Sequence, residues 1–323
     1  MIKEKVLYYP YINIPNSVWL KQMLLYWDEI GIITPYEYIQ NPDKLDNHTR
    51  QLVRENLIIQ VLALEYIQDI PNFKDSFIQY LNSLDARIID KRKKDFINEK
   101  YCKIHIEKLN GVEDDLIRLG LADYLNYPWF YVEKITAFEF MYYLTSVLCN
   151  LQELNYKPFT DNIIQVKNFF STTDYNVNIE SENLRIELLD SILPIPINSI
   201  SAIQIKRFKD KYHDELLDFR ITVEKEIGSI VSIENPELRE NRKQLFIKQS
   251  KHQIEKIIDI FKNFGFKRIG LLDICSIISF SPIISSLFDF AKLIKNDIDK
   301  RKIYNIDPYF LYAAYVNKEF IRD

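Results

Sequence analysis

Residues Ser201–Phe264 read SAIQIKRFKDKYHDELLDFRITVEKEIGSIVSIENPELRENRKQLFIKQSKHQIEKIIDIFKNF. In the first half, Phe208, Tyr212, Leu216, Phe219, Val223, Ile227 and Ile230 follow one another at spacings of 4, 4, 3, 4, 4 and 3. Side chains three or four residues apart share one side of an α-helix, so these seven form a single apolar stripe. ENPE at 234–237 supplies a turn, because Pro236 starts a helix well and ends one badly. The return arm carries Leu238, Leu245, Ile247, Ile254, Ile257, Ile258, Phe261 and Phe264, with Gly265 as its expected stop. Each arm holds roughly 28–34 residues, or roughly 40–50 Å at helical rise. The stripe is too short for a long coiled coil, so the expected element is an antiparallel helical hairpin spanning 201–264. An exposed stripe of this kind is what paired helices self-associate through. Phe208, Tyr212, Phe219, Val223 and Ile227 are therefore the candidate interaction residues, toward a protein partner or a second copy.

Working back from the hairpin, Pro194 and Pro196 in LPIP fix an extended linker. They suggest a division into an N-terminal α/β-helical domain, 1–195, and a helical domain, 196–323. The N-terminal part opens with a β-branched and aromatic run, Val6–Ile12, then Trp19, Met23, Tyr26, Trp27 and Ile30 at helical spacing, then IITP. Strand, helix and strand in so short a span predict a βαβ unit with a small parallel pair. Helices are expected at Thr49–Gln68 and from Phe73 to about Lys100, and a strand at 102–109, CKIHIEKL. A short helix follows at Glu113–Leu119, then a strand in WFYVEKI, 129–135. From Ala137 to about Leu154 the pattern is apolar on nearly every side, which marks a buried central helix. YKPFTDN reads as a turn-rich break, and 163–180 carries little pattern. A short helix is expected at Asn183–Ile192, an amphipathic helix at Ile283–Ile298, and a capped aromatic helix in DPYFLYAAYVNKEF at the end. The fold class is mainly α (α+β), with a small N-terminal sheet packed with helices.

The chain has 323 residues, 47% hydrophobic and 27% charged, enough to bury a core without staples. Its formal net charge is -4, which argues against a dedicated nucleic-acid binder. Only 6 glycines leave little room for a phosphate-cradling loop, and no Walker A, G-x-G-x-x-G or G-x-S-x-G motif occurs. Cys102, Cys149 and Cys275 are odd in number and scattered, which is no disulfide framework and fits a reducing cytoplasm. Four histidines and three cysteines without metal-ligand spacing lead to no expected metal or cofactor. The apolar stretch Gly270–Phe288 is broken by Asp273 and Pro282. A core element is the expected reading, with a membrane-acting segment as an alternative.

Several segments resemble a bacterial family known only as a domain of unknown function. These are LYYPYINI with WLKQMLLYWDEIGIITP, KIHIEKL with LIRLGLA, AFEFMYYLTSVLCN with KPFTDN, LLDSILPIPINSI with FKDKYHDELLDFR, and DPYFLYAAYVNKEF. The resemblance covers most of the chain except 45–100 and 235–300. It implies a bacterial, intracellular protein, with an association to phage-defence genes. It implies no activity, so no catalytic residue is carried over.

Candidate chemistry is sparse. On a strand over 102–109, His105 and Glu107 would face one side, able to act as a base and its orienting group, with Lys108 beside them. Asp161, after the buried helix, is a third acid/base candidate, although Thr160 or Asp161 as a helix cap explains the turn as simply. His213, Asp214 and Glu215 are consecutive and diverge around a helix, so they cannot converge on one ion. KRKK at 91–94 and the basic return arm (Arg239, Arg242, Lys243, Lys248, Lys251) are interleaved with acids and read as solvated helix faces. The leading expectation is a non-catalytic interaction or scaffold subunit. The alternatives are an enzyme using His105, Glu107 and Asp161, and a membrane-acting effector through 270–288.

Overall fold

The computed structural model describes residues 4–161, 179–193, 200–263 and 307–320. The LPIP prolines 194 and 196, residues 163–178, Gly265, the apolar stretch 270–288, the helix expected at 283–298 and Cys275 lie outside them. The chain is mainly α with two small β-sheets. It divides into two compact units, Met1–Ile179 and Glu180–Asp323.

The first unit begins with the expected βαβ. Strand β1 (Lys5–Tyr8), helix α1 (Val18–Tyr26) and strand β2 (Glu29–Ile33) follow in order, with β1 and β2 parallel in the register Lys5↔Glu29 to Tyr8↔Ile32. Ser17 caps α1 by accepting the Leu20 N–H at 3.1 Å. After α2 (Tyr36–Gln40) the structure departs from the single helix expected over Thr49–Gln68. There are instead α3 (Asn47–Arg54), a third parallel strand β3 (Ile58–Val61), and α4 (Leu64–Ile67). The break comes at Asn56, which takes φ 56°, a left-handed conformation that Asn tolerates and that ends a helix. The run from Phe73 to Lys100 is also two helices, α5 (Phe73–Ser83) and α6 (Ala86–Ile97). Asp85 caps the second by accepting the Arg87 N–H at 2.8 Å.

A second sheet is antiparallel, in the order β4 (Tyr101–His105), β6 (Trp129–Glu133), β5 (Ala122–Asn126). Strand β4 ends at His105, and Ile106–Leu109 form a single helical turn, α7, so the strand expected over 102–109 is half right. Helix α8 (Glu113–Arg118) precedes β5. Helix α9 (Lys134–Cys149) is the buried helix read from the sequence. It begins three residues earlier than expected because Glu133 is its cap, accepting N–H groups from Ile135 at 3.0 Å and Thr136 at 2.8 Å. YKPFTDN is not only a turn, since Tyr156–Phe159 form β7, parallel to β1 on the side away from β2. The first sheet is therefore β3-β2-β1-β7, all parallel.

One charge pair lies in this core. Arg92, from the basic run read as solvated, is buried and donates to both carboxylate oxygens of Glu139 on α9, at 2.7 and 2.9 Å. It also donates to Thr136 Oγ1 at 3.2 Å.

The second unit contains α10 (Ile179–Ile192), α11 (Ala202–Lys211), α12 (His213–Val231), α13 (Pro236–Asn263) and α14 (Leu311–Phe320). The hairpin turn falls at 232–235, two residues ahead of the expected 234–237, with Pro236 opening the return helix as expected and Asn235 accepting the Glu237 N–H at 2.9 Å. The first arm is broken at Tyr212. Helix α10 belongs here rather than with the first domain, which moves the boundary from 195 to 179. Its Arg185 pairs with Glu224 at 2.6 and 2.7 Å, its Glu187 with Lys243 at 2.7 Å, and its Glu180 with Arg239.

The candidate interaction residues need correction. Phe208, Tyr212, Phe219, Val223 and Ile227 are all buried within this unit. Tyr212 stacks on Tyr315 at 4.4 Å, Phe208 meets Tyr312 at 5.5 Å and Phe320 at 4.9 Å, and Phe219 lies 5.9 Å from Tyr312. Amphipathicity shows that a face needs covering without showing what covers it. Here the aromatic C-terminal helix does.

Candidate functional site

In the parallel sheet, the chain leaves β1 toward β2 and β3 on one side, while β7 lies on the other. A sheet that reverses in this way opens a crevice beyond the carboxyl ends of its strands, between the two that part company, and ligands of open α/β folds bind there. The segment following β1 runs along a cavity of about 550 Å³ beyond the carboxyl ends of β1 and β2, lined by Tyr11 and Asn13 from that segment and by Tyr38 from α2. The antiparallel sheet closes it with Lys103 and His105 from β4, Asn126 from the end of β5 and Trp129 from β6. Lys108 of α7 and Met141 of α9 complete the named wall. Among the described residues no carboxylate lines it. A smaller cavity of about 260 Å³ shares Pro10, Tyr11, Lys103, Ile104 and Met141 with it and adds Cys102, whose thiol burial pushes up from its ordinary pKa.

His105 and Lys108 reach one cavity because the strand ends where it does. His105 Nδ1 accepts the Glu107 N–H at 3.2 Å and so caps the turn of α7. Residues three apart share a helical face, so the turn carries Lys108 back to the side of His105, where a continued strand would have sent it to the opposite face. Asn110 at φ 47° and Gly111 at φ 88° end the turn, both residue types that accept a left-handed backbone. That Asn-Gly pair is the one sequence signal from which the turn was legible.

The acceptor role of Nδ1 leaves the proton of neutral His105 on Nε2. That atom is buried without a hydrogen bond, 3.7 Å from Glu37 Oε1, and the ring meets Trp129 edge-on at 5.1 Å. Burial holds the imidazole pKa below its ordinary value against the opposing pull of Glu107 and Glu37. Lys108 is 4% exposed, and among the described residues no hydrogen bond or ion pair engages its amine. Burial alone lowers its pKa from 10.5 to about 7, because a charged amine loses hydration that nothing in the wall replaces. Lys103 is exposed, its ammonium 6.0 Å from the Tyr131 ring centroid.

The three acid/base candidates separate. Only His105 lines the cavity. Glu107 turns its carboxylate to the start of α2, accepting the Tyr36 N–H at 2.7 Å, and supports His105 through its own backbone N–H. The strand reading that placed both side chains on one face therefore fails at Ile106. Asp161, just past the carboxyl end of β7, accepts the Tyr8 hydroxyl at 3.1 Å. Burial first, and Asp161 second, push the Tyr8 phenol above its ordinary pKa. Asp161 thus holds the β1–β7 edge of the crevice together and is not in the wall. His213 lies in the second unit, its Nδ1 3.4 Å from Asp214. Among the described residues no group of three or more His, Cys, Asp or Glu is arranged to hold a metal ion, and no helix is long and apolar enough to cross a membrane.

No family model, curated protein or solved structure matches this chain.

Proposed function

We propose that the N-terminal unit binds and acts on a small anionic molecule with an apolar part, and that the long hairpin supports its own unit rather than a docking partner. The observation that carries this reading is the cavity wall. Among the described residues it holds Lys103, His105 and Lys108 with no carboxylate, beside the aromatic faces of Tyr11, Tyr38 and Trp129. An anion entering this space meets two amines, an imidazole and the amides of Asn13 and Asn126, while its apolar part meets rings and Met141. The volume is that of a metabolite site, and its place at the carboxyl end of parallel strands is where such sites form. A cation meets no carboxylate in the wall among the described residues, which disfavours it.

The scaffold reading loses its basis with the burial of Phe208, Tyr212, Phe219, Val223 and Ile227. The acid/base reading is narrowed to His105, with Lys108 taking the place of Glu107 and Asp161.

The test is calorimetric titration with phenylpyruvate, 2-oxoglutarate and inorganic phosphate, against neutral benzyl alcohol, on wild type and Lys103→Ala. At least one anion should bind, more weakly in the variant and with proton uptake from buffer, because an anion raises the pKa of the Lys108 amine. Equal binding of the neutral compound, or no anion binding at low salt, would overturn the reading.

A further inference from the structure

A buried lysine without a counter-ion is costly, and proteins that retain one usually use its amine. A desolvated amine that is neutral near pH 7 is a competent nucleophile toward a carbonyl carbon. Lys108 sits in that situation by geometry. It is 4% exposed, lines the cavity, and has neither hydrogen bond nor ion pair among the described residues. Among the described residues, the charged and titratable groups that line the cavity with it are Lys103 and His105 from β4, Tyr11 from the segment after β1, and Tyr38 from α2, with none of them a carboxylate. Glu37, Glu107 and Lys44 act on His105 from outside the wall.

We propose that the ε-amine of Lys108 is a nucleophile that captures the carbonyl carbon of a small 2-oxo acid as an imine in this cavity. The proposal rests on the anion-site reading, since it assigns the carboxylate of the ligand to Lys103 and the wall amides. The neutral nitrogen attacks the carbonyl carbon and the C=O electron pair moves to oxygen, giving a carbinolamine after one proton passes from nitrogen to oxygen. A second proton reaches that oxygen, water leaves, and C=N forms. One water is released and nothing is oxidised or reduced. The second proton comes from solvent, because neutral His105 keeps its one proton on the buried Nε2, and the iminium N–H returns a proton to solvent as the imine forms. An amine that titrates at about 7 is roughly half neutral at pH 7, while a surface lysine is neutral to about one part in several thousand. At pH 7 Lys108 therefore presents on the order of 1000-fold more neutral amine than a surface lysine.

The experiment incubates the whole protein at pH 7 with phenylpyruvate and sodium cyanoborohydride, which delivers hydride to the C=N, and maps the adduct by peptide mass spectrometry. Wild-type protein should carry a single adduct at Lys108. Its rate should level off above about pH 7, while surface lysines continue to gain rate up to pH 10. Lys108→Met should lose the adduct, together with the proton uptake that accompanies anion binding in calorimetry. Mapping is read on wild type, so the result stands even if the variant fails to fold. Adducts spread over surface lysines, with Lys108 unmodified, overturn the inference. If anions still bind in that case, the anion-site reading survives without the nucleophile, whereas loss of both removes the site itself.

Discussion

Changing Glu139 to Gln tests the core of the N-terminal unit directly. The side chains of Arg92 and Glu139 are only 6% and 2% exposed, and the guanidinium makes two hydrogen bonds to the carboxylate. Arginine cannot shed its proton, so in Glu139→Gln the guanidinium stays charged and loses the only carboxylate within hydrogen-bonding distance among the described residues. Thr136 Oγ1, at 3.2 Å, stays as a neutral partner, while Arg92 Nε is already buried without one. Removing one partner of a buried pair costs about 3–5 kcal/mol, because the remaining charge is uncompensated. At about 2–4 °C per kcal/mol for a unit of this size, the melting point falls by roughly 6–20 °C. Trp19, Trp27 and Trp129 are all in this unit, so urea unfolding followed by tryptophan fluorescence reports on it alone. Arg92→Met with Glu139→Leu replaces the pair by apolar groups of similar length. It should be neutral, or stabilising by about 1–4 kcal/mol. A Glu139→Gln midpoint within about 0.5 kcal/mol of wild type, or a double variant as damaged as the single one, would refute the account of a buried, uncompensated arginine.

Lys108→Met should stabilise the unit at pH 6 and not at pH 10.5. The folded pKa is depressed from 10.5 to about 7, so between those values the unfolded state binds more protons and wild-type stability rises with pH. The penalty is fully present below pH 7, amounts to on the order of 5 kcal/mol, and is gone above about 10.5. Urea midpoints of the two proteins that keep the same gap at both pH values would contradict this. Phe219→Ala, at a site with 0% exposure, should cost about 3–5 kcal/mol in helical ellipticity melts. Phe219→Asp should unfold its unit without changing the oligomeric state in light scattering, and a folded protein with altered mass would restore the docking reading. Gly31→Ala places a Cβ 2.9 Å from Leu7 Cδ1 and 3.1 Å from the Tyr156 ring, costing about 1–3 kcal/mol by overpacking. Gly228→Ala, with nothing within 4 Å of the added carbon in helix α12, should instead gain about 0.5–1 kcal/mol.

Periodicity alone determined much of the architecture. The apolar run of α9, the stripe from Phe208 to Ile230, the turn before Pro236 and the first βαβ are local patterns, and a helix or strand with one apolar face cannot hide its period. Short elements carry too few residues for a period to form. Ile58–Val61 and Tyr156–Phe159 are four-residue strands, visible only because they pair with β2 and β1. What covers an apolar stripe was likewise not in the stripe. Tyr212 and Phe219 carry the same spacing whether they meet a partner or, as here, Tyr315 and Tyr312. The candidate site shows the same division. His105 stood out by residue type, but Lys108 became more than another surface lysine only when a one-turn helix brought it into a cavity with His105. Burial then removed the water that would have kept its amine charged. Charge state, burial and pairing depend on what the folded chain brings from far along the sequence. Arg92 and Glu139, 47 residues apart, pair for that reason, and only the tertiary structure could decide it.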